Sequence, residues 1–275
     1  MAATAPLGEC WGPGVPGPEP MRRTTGAADA CPRPPETPPM RHVSVSPRRP
    51  DSQSSILCYG LIVAAGQGQR FGGYKQFVQL AGKPVLIHSV RAFERCPMIS
   101  GFVVVAPARR LAVVRRMLRS HGVRKLLDTV PGGETRAGSV QAGLSVLPAQ
   151  GFVAVHDAVR PLIHAGMLTK GLRACRNRGA VTYGYPVTDT LKRVNGKEVL
   201  STVERKGLLA VQTPQFFSLE LLRRAHAEAR RARLQVTDDC ELVERLGVHP
   251  VWIPGPRTNL KLTTPDDLNV IQALM

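Results

Sequence analysis

At 275 residues, with 43% hydrophobic side chains, the chain can bury one large α/β core or two small ones. No apolar run reaches the roughly 20 residues a membrane span needs. The six cysteines, Cys10, Cys31, Cys58, Cys96, Cys175 and Cys240, lie too far apart for a C-x-x-C zinc site or a disulfide framework. A formal net charge of +17 points to polyanionic partners, but only 5% of residues are aromatic and no strand is rich enough in rings to stack bases. That lowers the nucleic-acid reading and leaves small polyanions, although runs such as Arg109-Arg110, Arg115-Arg116, Arg223-Arg224 and Arg230-Arg231 fit solvated helix faces as the plainer explanation.

Residues 1–55 are Pro-, Gly-, Ser-, Thr- and Arg-rich with scattered apolar positions, a composition that cannot offset the entropy of ordering, and they are expected to be a disordered extension. They hold six of the 37 basic and five of the 20 acidic residues, so the domain expected over 56–275 is itself basic, with 31 basic and 15 acidic residues. Arg content with Ser and Thr would suit a plastid transit peptide, whereas Glu9, Glu19, Asp29, Glu36 and Asp51 do not. A cytoplasmic protein is expected otherwise, with a plastid location if the extension is a transit peptide.

The apolar run Ile56 to Ala65 predicts a buried strand, broken at Gly66 and Gly68 into a loop carrying Arg70 and Lys75. The glycines alone fit a simple turn as well as a phosphate loop, and match neither G-x-G-x-x-G nor G-x-x-x-x-G-K-[ST]. The two cations tilt the loop towards phosphate, because backbone N–H groups brought close by glycine then act beside full positive charge. A helix follows from Lys83-Pro84-Val85 to Cys96, then a strand over Phe102 to Ala106, a helix over Ala108 to His121 and a strand over Lys125 to Val130. Alternating strands and helices favour a parallel sheet with crossover helices.

Gly132-Gly133 precedes a helix starting near Thr135, whose free N–H groups suit an anion or a nucleobase, although a plain loop reads equally well. Phe152 to Val155 predicts a strand ending in H-D-A-V-R-P, with Asp157 available for a metal and Arg160 for a phosphate, unless the two simply pair. A helix over Met167 to Asn177 and a strand over Ala180 to Val187 come next. Asn195-Gly196 then signals a hairpin between Leu191–Val194 and Val199–Val203, outside the alternating order and therefore free to project as an arm over about 188–206. Thr213-Pro214 predicts an extended turn. The last third predicts helices over Leu219 to Arg233 and Thr237 to Leu246, with Glu241 three residues after Asp238 as in a capping box. Strands over Val248 to Ile253 and Asn259 to Thr263 and a closing helix opened by Thr264-Pro265 complete the chain.

Taken in order, A-A-G-x-G-x-R with K-Q-F, G-G-x-x-R-x-x-S-V, H-D-A-V-R-P, D-T-L-K, T-P-Q-F-F, T-D-D and N-x-K-x-T-x-P-x-D-L resemble the 2-C-methyl-D-erythritol 4-phosphate cytidylyltransferase family, from about Ile56 to the C-terminus. The resemblance implies a Rossmann-like three-layer nucleotidyltransferase fold with a mostly parallel sheet. It implies that CMP is transferred from CTP to 2-C-methyl-D-erythritol 4-phosphate with Mg²⁺ or another divalent cation, and that the protein is a homodimer joined through the arm. Catalytic roles would fall to Arg70, Lys75 and Lys261. Ala64, Ala65, Gly66, Gly68, Gly133, Glu134, Ser139, Asp157 and Ala158 would bind CTP, with Asp157 also at the metal. Arg160, Thr190, Arg205, Thr213 and Thr237 would bind the sugar phosphate, Thr190 and Arg205 acting in the partner's site. Two positions depart from the family: Phe71-Gly72-Gly73-Tyr74 is shorter than usual and puts Tyr74 where proline commonly precedes the lysine, and Glu134 stands where Asp is frequent. A ribitol 5-phosphate cytidylyltransferase shares these features, and a non-catalytic nucleic-acid-binding protein is the rival of another class.

Overall fold

The computed structural model describes residues 57–68, 71–234 and 236–275. The expected extension over 1–55, and Arg70, lie outside the described residues. Eleven strands and seven helices are described, and one sheet organises them. Seven strands, β1 (Cys58–Val63), β4 (Gly101–Ala106), β5 (Leu126–Pro131), β6 (Phe152–Asp157), β7 (Ala180–Pro186), β10 (Leu209–Ser218) and β11 (Val251–Pro254), run in the order β11-β7-β10-β6-β1-β4-β5. The pairs β6-β1, β1-β4, β4-β5 and β7-β11 are parallel. The mostly parallel α/β sheet expected from the alternating pattern is therefore present, with one exception.

That exception is β10, which pairs antiparallel with both β6 and β7. Alternation predicts parallel strands only where a crossover helix intervenes. Between β7 and β10 the chain instead makes the two-stranded arm β8 (Leu191–Asn195) and β9 (Glu198–Val203), and so returns in the opposite direction. Thr213-Pro214, expected to make a turn, lies inside β10 as a cis peptide, and the ladder to β7 slips between Gln212 and Gln215. Proline has no N–H to give the ladder, and the bulge absorbs that loss.

Both faces of the sheet are covered, which is why its strands read as continuous apolar runs rather than alternating ones. Leu61, Val103, Val105, Val153, Val155 and Phe217 pack on one side with α3 (Arg136–Ser145), α5 (Leu219–Arg231) and α6 (Asp239–Glu244). Ile62, Phe102, Val104, Ala154 and Phe216 face the other, towards α1 (Val85–Arg95), α2 (Leu111–Ser120) and α4 (Ala165–Arg178). α4 lies so close to β10 that a Cβ at Gly171 would meet the Phe216 ring at 2.1 Å. A smaller cluster, Leu80, Val85, Val159, Leu262 and Ile271, seats α7 (Pro265–Ala273) beside the small hairpin β2 (Gln79–Leu80) and β3 (Lys83–Pro84).

The strand expected over Asn259 to Thr263 is not formed. The chain beside it is the irregular stretch after β6, which offers no ladder, and only Leu262 N–H reaches across, to Val159 O at 2.8 Å. Asn259, fully buried, anchors the segment through its side chain, donating to Thr213 O at 2.8 Å, while Arg160 Nη1 donates to Asn259 O at 2.7 Å.

Candidate active site

β1 leads to β4 and β5 on one side, then the chain crosses back to place β6 on β1's other side. Such a reversal opens a crevice beyond the carboxyl ends of the strands, the usual ligand site of open α/β sheets. Here it is a cavity of about 520 Å³ lined by Val63 to Gly68, Lys75, Gln76, Gly133 to Arg136, Ser139, Asp157, Val159 and Lys261.

Its floor is tied to the sheet by backbone bonds beyond the strand ends: Ala64 N–H to Val105 O at 2.7 Å, Ala158 N–H to Val63 O at 2.9 Å and Gly132 N–H to Ala106 O at 2.9 Å. The glycine loop and the α3 loop then meet so closely that a Cβ on Gly132 would lie 2.2 Å from that of Ala65. Gly68 has φ +66°, and a Cβ there would lie 2.0 Å from Gly73 O, so two reasons demand glycine. Gln76, buried, donates from Nε2 to Ala64 O at 2.7 Å and Gly66 O at 3.0 Å, holding the chain after the loop against its start. The opposite wall is the N-terminus of α3, where Thr135 Oγ1 accepts from Gly138 N–H at 3.0 Å and Ser139 Oγ donates to Thr135 O at 3.0 Å.

Charge is concentrated at Asp157. Its Oδ1 accepts from Arg136 Nε at 3.1 Å and its Oδ2 from Lys261 Nζ at 2.7 Å. Burial alone would raise its pKa, but Arg136 and then Lys261 hold the carboxyl well below the usual range, so it is ionised. Arg136 also donates from Nη1 to Asp239 Oδ2 at 2.6 Å, and His226 Nε2 sits 3.1 Å from Asp239 Oδ1. Burial opposes the Arg136 charge too; Asp239 and Asp157 outweigh it and push its pKa above the ordinary value. Gln215 ties both acids of the T-D-D motif in place, donating to Asp238 Oδ2 at 2.6 Å and accepting from Asp239 N–H at 3.3 Å.

Beneath Asp157, its backbone N–H donates to Thr213 Oγ1 at 3.1 Å, and that hydroxyl is 3.2 Å from His156 Nδ1. His156 Nε2 faces Arg160 O at 3.3 Å and so carries the proton, leaving Nδ1 to accept from Thr213. Burial pushes the His156 pKa down to about 3, keeping the ring neutral.

Of the residues expected at the site, Ala64, Ala65, Gly66, Gly68, Lys75, Gly133, Glu134, Ser139, Asp157 and Lys261 share this cavity. Ala158, Thr213 and Arg160 are not part of this lining: Ala158 is buried, Thr213 Oγ1 accepts from Asp157 N–H, and Arg160 Nη1 donates to Asn259 O. Thr237 is exposed near the start of α6, its N–H donating to Glu241 Oε2 at 3.0 Å. Thr190 is exposed and Arg205 lines a separate hollow with Trp252 and Leu208, at the base of the arm, where it donates to Thr188 O. Sequence reasoning left out Gln76 and the Arg136–Asp239–His226 chain; the R of G-G-x-x-R was the available signal for Arg136.

Three comparisons bear on identity. The family model for 2-C-methyl-D-erythritol 4-phosphate cytidylyltransferase matches residues 58–275. Proteins of that name from Desulforamulus reducens and Pelotomaculum thermopropionicum are 39% and 42% identical over 220 and 225 residues, covering 78% of this chain and 94% and 92% of theirs. The crystal structure of the Thermus thermophilus protein of that name superposes with a TM-score of 0.64 at 32% identity, covering 78% of this chain and 96% of that one. The 4-diphosphocytidyl-2C-methyl-D-erythritol synthase of Anaerococcus prevotii gives a TM-score of 0.70 at 26% identity, covering 80% and 96%. With the cavity at the sheet reversal and the motif residues gathered in it, these matches place the chain in the 2-C-methyl-D-erythritol 4-phosphate cytidylyltransferase family.

Proposed function

We propose that this protein transfers the CMP group of CTP to 2-C-methyl-D-erythritol 4-phosphate, giving 4-diphosphocytidyl-2-C-methyl-D-erythritol and pyrophosphate in isoprenoid precursor synthesis. The observation that carries the reading is the convergence of the glycine loop, Lys75, Asp157 and Lys261 on one cavity in a chain of this family. A phosphate oxygen of the acceptor attacks the α-phosphorus in line, and the bond from that phosphorus to the bridging oxygen breaks as pyrophosphate leaves. Positioning two polyanions and stabilising the spreading charge is then the protein's whole task.

In this reading backbone groups of Ala64 to Gly68 cradle the triphosphate, Lys75, Lys261 and Arg70 meet its charge, and Gly133, Glu134 and Ser139 hold the nucleoside. Asp157 fits a divalent cation: each oxygen takes one hydrogen bond and keeps a lone pair, and the carboxylate is ionised. Among the described residues no three His, Cys, Asp or Glu side chains gather to hold a metal alone. A cation here would therefore share one carboxylate with substrate phosphates, the usual Mg²⁺ arrangement, and would neutralise triphosphate charge. The acceptor would be held by Arg160, Thr213 and Thr237 with Thr190 and Arg205 from a partner subunit, in a cytoplasmic homodimer joined by the arm. The catalytic unit would span 56–275.

Pyrophosphate release from CTP and Mg²⁺ tests this, with methylerythritol phosphate preferred to ribitol 5-phosphate; the reverse preference would overturn the acceptor assignment. Lys75→Ala and Lys261→Ala should each lower turnover about 100-fold, on the order of 3 kcal/mol, without unfolding the protein. Near-normal rates would sink their catalytic roles.

A further inference from the structure

Arg110 is an exposed arginine immediately before α2. It ends the 3-10 turn Ala108–Arg110 that follows β4, held by its N–H to Pro107 O at 2.8 Å. Its guanidinium carbon lies 4.7 Å from the centre of the Tyr74 ring and 5.6 Å from that of Phe77, and the two rings are 6.0 Å apart. One cation therefore sits against two aromatic faces, both within two residues of Lys75 in the chain.

Tyr74 and Phe77 bracket the 3-10 turn Lys75–Phe77, whose Lys75 lines the cavity. Inside, the turn is fastened by Gln76 to Ala64 O and Gly66 O. The loop before it is closed by backbone bonds, Phe71 N–H to Gly68 O at 2.9 Å, Gly73 N–H to Gly68 O at 3.3 Å and Lys75 N–H to Gly73 O at 2.8 Å, and Phe71 packs against the cluster of Leu80, Val85, Val159, Leu262 and Ile271. Gly72 and Gly73 have open space where a Cβ would be, so nothing packs on them. A segment such as Gly72-Gly73, with no side chain to pack, loses much conformational freedom when a ligand orders it, unless the chain beyond it is pinned.

We propose that Arg110 is a positioning residue for CTP: by stacking on Tyr74 and Phe77 it pins the phosphate loop to the end of β4 and pre-sets Lys75 towards the cavity. It touches no part of the cavity itself. The inference rests on Lys75 meeting the triphosphate. Because the ordering cost falls on binding, the loss of Arg110 should appear in affinity for CTP and not in the chemical step.

The test is steady-state kinetics on the full-length protein, with CTP varied at saturating acceptor. Arg110→Ala is expected to raise KM for CTP about fivefold, the size of an exposed cation–π contact, with kcat within about twofold and KM for the acceptor unchanged. Tyr74→Phe keeps the ring and should behave as the parent protein, while Tyr74→Leu should raise KM for CTP by no more than Arg110→Ala, because Phe77 stays against Arg110. The double variant Arg110→Ala with Tyr74→Leu should be no worse than Arg110→Ala alone, since that change already removes the Tyr74 contact. An unchanged KM for CTP in Arg110→Ala, additive effects in the double variant, or an equal loss with Tyr74→Phe would each overturn the proposal. If instead Lys75→Ala binds CTP normally, the assignment of Lys75 fails and this inference with it; Lys75→Ala impaired beside a normal Arg110→Ala defeats the inference alone.

Discussion

Arg136 is the side chain on which most of the buried charge turns. It is shared between Asp157 and Asp239, both nearly inaccessible, and its Nη2 is buried without a hydrogen-bond partner among the described residues. Removing one partner of a buried ion network leaves the others uncompensated, which costs far more than the network contributes against an apolar substitute. Arg136→Met should therefore destabilise the fold by about 3–5 kcal/mol in denaturant unfolding, whereas the triple change with Asp157→Asn and Asp239→Asn should recover much of that loss. Unfolding of Arg136→Met at the parent midpoint would mean that solvent, not Arg136, compensates the two carboxylates.

At the scale of elements, α7 shows how a cap couples to the site. Asp267 Oδ2 accepts from the N–H groups of Thr263 and Thr264, both at 2.7 Å, completing a capping box with Thr264 at the start of the helix. Burial would raise the Asp267 pKa, but these bonds outweigh it and hold the carboxyl below its ordinary value, with a smaller contribution from Lys75. A depressed folded pKa means that the unfolded chain binds the proton more readily. The stabilisation is thus complete above the ordinary aspartate value, near pH 4, and is lost as the pH falls through the lower folded pKa. Asp267→Ala should cost about 1 kcal/mol at pH 7 and less near pH 2. Thermal melts at the two pH values decide this; an equal cost at both would show that the carboxylate charge is irrelevant.

At the scale of the whole molecule, the arm bears on assembly. The arm carries Val194, Val199 and Leu200 more than half exposed, apolar surface with no partner among the described residues, and Thr190 and Arg205 lie at its base, outside the cavity that holds Lys75 and Asp157. A twofold pairing through the arm would cover that surface and carry both residues to a neighbouring site. Sedimentation should give twice the chain mass. Val199→Asp with Leu200→Asp should yield monomers that still bind CTP but have lost most affinity for the sugar phosphate; a monomeric parent protein would end the dimer proposal.

The sequence by itself determined what depends on neighbours a few residues away. Glycines at a strand end mark the loop from Gly66, Asn195-Gly196 marks the arm, and Thr264-Pro265 with Asp267 marks the start of α7, because turns and caps are local backbone chemistry. The seven ordered motifs likewise named most of the cavity lining, although they could not separate residues that line this cavity from Thr213 and Arg160, which lie outside its lining. Only the tertiary structure decided the reversed direction of β10, the absence of a strand over 259–263, the chain from Asp157 through Arg136 and Asp239 to His226, and Arg110 over Tyr74. Each of these joins residues far apart in the chain, so its energy depends on which elements pack together, and no local pattern of hydrophobicity or charge encodes that choice.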